Sequence, residues 1–88
     1  MESVFIVTKV DNALYPDDRV IVDVFPNSKL ASRWLMQLVN EDVLDNGFDV
    51  TIKSRYNADG EIEMSADLIK GEERVLITST KKPVCNKV

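Results

Sequence analysis

The segment Glu61–Leu68 (EIEMSADL) carries the densest row of chemically active side chains in this sequence of 88 residues. On a β-strand, alternate residues face the same side, so Glu61, Glu63 and Asp67 would form a row of carboxylates. Two carboxylates about 7 Å apart could act as a general acid and a general base. That chemistry needs a cleft that perturbs one pKa, and nothing in the sequence indicates one. We therefore expect no catalytic residue and interpret the row as the solvated face of a strand.

The residue types that are missing exclude several other chemistries. The sequence has no histidine and one cysteine, Cys85, which excludes His-dependent nucleophilic catalysis and a structural zinc site. The segment Asn57–Glu63 (NADGEIE) resembles part of a calcium-binding loop. It lacks the carboxylate and the glutamate that such a loop needs at its first and last positions, and is better explained as a hairpin turn. We expect no metal and no cofactor.

Two surfaces are candidates for binding a partner. The first is the carboxylate row, whose spacing of about 6.7 Å is close to that of successive phosphates, so it could enter a basic channel of a nucleic-acid-binding protein. The second is the loop 12–19, where Leu14 and Tyr15 lie beside Asp17 and Asp18. Apolar and aromatic residues within a polar rim are typical of binding hot spots. Alternatively, Leu14 and Tyr15 fold back over the sheet edge.

Charge and composition limit the partners and the compartment. The net charge of −4 would be repelled by nucleic acid and by anionic membranes, so direct nucleic-acid binding is not expected. The start of the chain, MESVFIVTKVD, lacks a basic segment and a long apolar run, so we expect neither a signal peptide nor a membrane span. A lone cysteine fits a reducing compartment. Together these features predict a cytoplasmic protein.

The remaining sequence predicts the elements that position these residues. Ser3–Lys9 and Arg19–Phe25 are β-rich runs. A helix of about 13 residues should follow, with Asn27 or Ser28 as its N-cap and Gly47 at its C-cap. Its apolar stripe recurs at helical spacing, through Leu30, Ala31, Trp34, Leu35, Leu38 and Val39.

Two hairpins should follow the helix. Alternation in Phe48–Tyr56 matches the apolar set of Glu61–Leu68 when three residues, Ala58-Asp59-Gly60, form the loop. A second, two-residue turn at Gly71-Glu72 leads into a fifth strand over Arg74–Thr80. The resulting register pairs Tyr56 with Ile62, Arg55 with Glu63, Lys53 with Ser65, Ile52 with Ala66, Thr51 with Asp67, Val50 with Leu68, Leu68 with Val75, Ala66 with Ile77 and Lys70 with Glu73.

The predicted fold class is α+β, with the order ββαβββ and one helix packed on a mostly antiparallel sheet. Residues 1–80 form a single domain, and residues 81–88 form a short basic tail. The first two strands are apolar on both faces, whereas an antiparallel strand with one solvated face should alternate. We expect a second copy, a partner or the C-terminal hairpin to cover the second sheet face, and a homodimer is predicted.

The segment VDVFPNSKLASRWLMQL resembles a pattern found in small proteins of phage and prophage genomes. The resemblance covers about the first 40 residues and rests on packing positions, namely Val24, Phe25, Asn27, Ala31, Trp34 and Leu35. Several small phage proteins bind and block host defence or transcription machinery. The resemblance therefore implies a role in the host cytoplasm as an inhibitor of a host protein, of which an anti-CRISPR-like role is one form.

These inferences give two functional hypotheses. The first is a non-enzymatic protein-binding module that inhibits a host protein, which could itself bind nucleic acid, through the carboxylate row or the loop 12–19. The second is a self-associating structural or accessory protein whose dimer buries the second sheet face. Under the interpretation of a solvated strand face, substitutions at Glu63 and Asp67 should have little effect on stability.

Overall fold

The computed structural model describes residues 3–11 and 19–83. This part of the chain contains five strands and one helix, which confirms the α+β class and agrees with the predicted order ββαβββ. The elements are β1 (Ser3–Asp11), β2 (Arg19–Phe25), α1 (Ser28–Asn46), β3 (Asp49–Tyr56), β4 (Ile62–Lys70) and β5 (Glu73–Pro83).

The five strands form one sheet in the order β2-β1-β5-β4-β3, and every neighbouring pair is antiparallel. The β1–β2 hairpin is joined to the β3–β4–β5 meander by pairing between β1 and β5, from opposite ends of the sequence. At the middle of this junction Thr8 lies opposite Thr78, and their hydroxyl oxygens are 2.6 Å apart. The two edges of the sheet are therefore β2 and β3.

The predicted registers of both hairpins after the helix are confirmed. The Asn57 N–H donates to the Glu61 carbonyl at 2.9 Å, closing the three-residue loop. Gly60 has φ 76° and Gly71 has φ 60°, a backbone conformation that favours glycine. Local turn chemistry is therefore sufficient to fix the alignment of β3, β4 and the start of β5.

Helix α1 begins at the predicted N-cap and is longer than predicted. The Asn27 side chain accepts the Leu30 N–H at 2.9 Å, and Gly47 ends the helix in a left-handed conformation. Between these caps the helix has 19 residues, compared with the 13 expected. The additional turns bury Asp42, a polar residue that the apolar stripe did not include.

The core lies between α1 and one face of the sheet. The helix contributes Leu35 and Val39, which are almost completely buried against Phe5 of β1 and Ile77 of β5. The helix is also tied to the edge strand β2, because the Trp34 indole N–H donates to the Asp23 carboxylate at 2.8 Å. The complete buried apolar set is Phe5, Val7, Ala31, Leu35, Leu38, Val39, Phe48, Ala66, Leu68, Val75 and Ile77.

Strand β5 continues beyond the boundary that the sequence predicted. Its pairing with β1 extends through Lys81 and Lys82 to Pro83, which lies opposite Ser3. Residues 81–83 therefore belong to the sheet and not to a basic tail. The β4–β5 hairpin stays in the same sheet, so it does not curl over the second face.

A largely buried ion pair joins the C-terminal half of α1 to β1. The Lys9 ammonium is 3.0 Å from the Asp42 carboxylate, whose side chain is almost completely buried. The Asn46 amide also donates to Asp42, at 3.2 Å. A buried carboxylate is tolerated only with such partners. The contacts from Lys9 and Asn46 therefore allow α1 to continue beyond its apolar stripe with Asp42 on its buried side.

We predict that Asp42→Ala lowers the free energy of unfolding by about 2–3 kcal/mol, because Lys9 would keep its half-buried charge without a counterion. Urea denaturation measures the change. Asp45→Ala is the matched control, since Asp45 is exposed one turn later on the same helix, and it should have little effect. Equal losses for the two variants would contradict a specific role for the buried pair.

Candidate partner-binding face

The face of the sheet opposite α1, here called the open face, is left uncovered by the described elements. The cross-strand registers arrange its side chains in rows that run from β2 to β3. The central row contains Val22, Thr8, Thr78, Ser65 and Lys53. On one side of it lie Val24, Ile6 and Thr80 and, beyond the end of the β4–β5 ladder, the pair Glu63 and Arg55; the row on the other side contains Val10, Leu76, Asp67 and Thr51.

The β2–β1 side of the open face is apolar. Val22 and Val24 on β2 have 54% and 60% of their surface exposed, and Val4 and Ile6 of β1 lie beside them, half-buried. We call Val4, Ile6, Val10, Val22 and Val24 the apolar half of the open face. The sequence predicted that the first two strands are apolar on both faces, and the structure places α1 on only one of them.

The other side of the open face carries the carboxylates that the sequence singled out, and Glu63 is the most constrained of them. Its residue surface is only 9% exposed. One carboxylate oxygen accepts the backbone N–H of Lys81 at 3.0 Å, and the other accepts Nε and Nη2 of Arg55 at 3.2 and 3.0 Å. The Lys81 N–H, followed by the Arg55 guanidinium, holds the pKa of Glu63 below its ordinary value of 4.5 despite the opposing effect of burial.

Asp67 is also paired within the chain. Its two carboxylate oxygens accept Nε and Nη2 of Arg74 at 3.2 and 3.0 Å, in a bidentate geometry. The hydrogen bonds from Arg74 lower the pKa of Asp67, and the same contact raises the pKa of Arg74. Lys53 of β3, which lies opposite Ser65, makes only a smaller electrostatic contribution to the lowered pKa of Asp67.

Glu61 precedes β4 and belongs to the loop. Its carboxylate and that of Asp59 both bind the Lys81 ammonium, which is 2.6 Å from Asp59 Oδ2. These hydrogen bonds, with Asp59 making the larger contribution, raise the pKa of Lys81. The charge of each of the three carboxylates in the row is therefore balanced by a cation of the same chain.

This balance corrects the picture of a solvated strand face at Glu63 and reduces the support for phosphate mimicry. The cations responsible at Glu61 and Asp67 are Lys81 and Arg74, which sequence reasoning missed. The sequence pattern places Lys81 in a tail because the β-branched residues of β5 end at Thr80, and the strand continues only through its pairing with β1, which no local signal marks.

A shallow depression of about 320 Å³ lies on the charged side of the open face. Its open-face lining combines Lys53 and Arg55 from β3 with Glu63 from β4 and three hydroxyl residues, Ser65, Thr78 and Thr80. The carboxylate in this lining is the one bound to Arg55 and to the Lys81 backbone. Among the described residues, Glu63 is the one carboxylate that lines the depression.

The other predicted binding residues, Leu14, Tyr15, Asp17 and Asp18, lie outside the described residues. Among the residues that are described, no helix is both long and apolar enough to cross a membrane. Comparisons with protein-family models, curated proteins and solved structures find no match to this chain. Functional inference therefore depends on the geometry of the chain itself.

We predict that Glu63→Ala lowers the free energy of unfolding by about 1–2 kcal/mol, since the Lys81 N–H would lose its acceptor inside the sheet. Glu63→Gln keeps a neutral oxygen acceptor and should lose less. Asp67→Ala is the comparison variant, with a smaller loss expected because the Arg74 pair is solvated. Urea unfolding of the three variants would contradict this ranking if Glu63→Ala proved no more destabilising than Asp67→Ala.

The lowered pKa of Glu63 predicts the pH dependence of stability. The unfolded chain takes up the proton near pH 4.5, whereas the folded chain takes it up at lower pH, so the stabilisation is complete above 4.5 and is lost as pH falls through the folded value. Unfolding measured from about pH 6 to about pH 2 should therefore show a steeper loss for the natural chain than for Glu63→Gln. Parallel curves would contradict the assignment.

Proposed function

We propose that this protein is a non-enzymatic protein-binding module that contacts its partner through the apolar half of the open face. The observation that carries the proposal is the exposure of Val22 and Val24, each more than half accessible on a sheet face that the described helix does not cover. Exposed apolar side chains grouped on one surface are typical of interaction sites.

The composition of the open face supports a protein partner. Its apolar half adjoins a central row of hydroxyls, including Thr8 and Thr78, and then the internally paired charges on β4 and β5. Protein–protein interfaces usually combine an apolar region with adjoining polar groups, and the open face has both. The net charge of −4 does not favour nucleic acid as the ligand.

The proposal extends to the role that the N-terminal sequence pattern implies. A protein of 88 residues can inhibit a larger host protein simply by occupying a surface that the host protein needs. A phage-encoded inhibitor, including one of the anti-CRISPR type, would act in this way in the host cytoplasm. This mode of action requires complementarity of the open face and no catalytic group, which agrees with the internal pairing of the carboxylates.

The second candidate function is self-association. The same apolar half could be buried against the open face of a second copy, giving a structural or accessory dimer in which the two sheets stack. The observation that favours it is that Val4 and Ile6, on the open face of the interior strand β1, are incompletely buried. Stacked sheets would bury both.

We predict that Val22→Thr combined with Val24→Thr weakens partner binding about tenfold or more, because two valines bury their methyl groups at the contact. Threonine retains the β-branched shape, so β2 should keep its structure. The control is Leu44→Gln, which removes an apolar residue that is 80% exposed on α1. Each variant would be titrated against a partner that is first captured from bacterial lysate, identified and purified.

The salt dependence of partner binding distinguishes a contact through the apolar half from a contact through the carboxylate row. Binding through the apolar half should persist at about 1 M salt, where exposed charge pairs are screened. Binding that disappears at high salt, or that is reduced equally by Leu44→Gln, would contradict the proposed face. A dimer that persists without any partner and is lost on the valine substitutions would favour the stacked-sheet alternative.

A further inference from the structure

Strand β3 forms an edge of the sheet with apolar side chains at its surface. Val50 and Ile52 are 37% and 38% exposed and point to the side of the sheet on which α1 lies. Helix α1 lies mainly over β4 and β5 and has its smallest contact with β3, so it leaves these side chains partly uncovered. Within residues 3–11 and 19–83, no strand pairs with the outer side of β3. An edge of this kind is a template for further strand pairing.

The backbone groups that face outward can be assigned from the hairpin. The bond between the Asn57 N–H and the Glu61 carbonyl makes these two residues a hydrogen-bonded pair. Antiparallel ladders alternate, so the odd-numbered residues of β3 bond to β4 and the even-numbered ones present N–H and C=O to the outside. Val50, Ile52 and Ser54 therefore carry the outward groups.

We infer that β3 pairs with β3 of a second copy of this chain, antiparallel and around a two-fold axis at Ile52, joining the two sheets into one. In this register Ile52 lies opposite the second Ile52, and Val50 lies opposite Ser54. The outward N–H and C=O groups of all three residues find partners. The axis is perpendicular to the sheet, so both helices lie on the same side and the apolar residues of the two edges meet.

Charge complementarity selects this register. On the open-face side it forms two pairs of Asp49 with Arg55 and two pairs of Lys53 with Thr51. No charged residue of the strand then lies opposite a residue of the same charge. Moving the axis to Lys53 would place the two lysines opposite each other. Moving it to Thr51 would shorten the paired segment from residues 49–55 to residues 49–53 and lose backbone hydrogen bonds.

This inference is independent of the proposed function because it uses the sheet edge and not the open face. It also has a consequence for binding. The two open faces would lie side by side on one surface of the joined sheet, so a dimer would present two copies of the apolar half to a partner with repeated sites.

Cysteine cross-linking tests the register directly. Opposite residues of a hydrogen-bonded pair have Cα atoms about 5.5 Å apart, within the range that a disulfide spans. Ile52→Cys, in a chain carrying Cys85→Ser, should therefore give a disulfide-linked dimer on mild oxidation. Ser54→Cys in the same background is the matched control, because the two copies of residue 54 lie about 13 Å apart along the strand and should not cross-link. Faster cross-linking of Ser54→Cys or Thr51→Cys than of Ile52→Cys would overturn the inference.

A second measurement avoids any dependence on the cysteine variants. Light scattering of the natural chain from about 10 μM to about 1 mM should show the mass rising from 9.9 kDa toward twice that value. Asp49→Arg places two arginines opposite each other and should raise the dissociation constant at least tenfold. Asp45→Arg makes the same charge change on α1 and should have no effect, as should the valine substitutions on β2. A monomer throughout, or equal effects of the two arginine variants, would overturn the inference.

Discussion

The pairing of β1 with β5 is the constraint on which the rest of the structure depends. It joins residues 3–11 to residues 75–83 and so fuses a hairpin and a meander into one sheet. Closing so long a segment costs chain entropy, although that cost rises only slowly with length. The gain is a full antiparallel ladder and a core in which Phe5 of β1 and Ile77 of β5 lie beneath the same helix. Each half alone would be a small sheet with an exposed apolar face.

The same pairing determines what the acidic row can do. The β4–β5 ladder ends with Met64 opposite Ser79, and beyond this point Glu63 itself accepts the Lys81 N–H. The carboxylate thus replaces a backbone acceptor at the place where the two strands separate. The ammonium of Lys81 returns to the loop and binds Asp59 and Glu61. The carboxylate row could in principle bind a basic partner, but its charges are already paired with cations of the same chain. The apolar half is therefore the better candidate for an interface.

The features that could be predicted from the sequence are those that local chemistry decides. The caps at Asn27 and Gly47 and the alignment of Arg55 with Glu63 follow from turn residues and from alternation over short distances. The burial of Asp42 could not be predicted, because it depends on Lys9 from a distant strand. The end of β5 and the burial of Glu63 were missed for the same reason, since both depend on contacts between residues far apart in the chain. The apolar character of the open face could be predicted from the residues of the first two strands. What binds that face could not, because it depends on a surface outside these strands.

The amount of surface that one helix can cover explains why the chain leaves two apolar surfaces for the proposed contacts. A helix of 19 residues is about 28 Å long and about 10 Å wide, whereas five strands at about 4.8 Å spacing form a sheet about 24 Å wide. In the described part of the chain, α1 therefore covers the central strands on one face and leaves β3 and the opposite face accessible. Some of the residues left accessible, including Val24 on the open face and Ile52 on the edge, are β-branched and apolar where a monomer would be expected to place polar side chains. Their chemistry suits further strand and sheet contacts, which is the physical basis of both proposals.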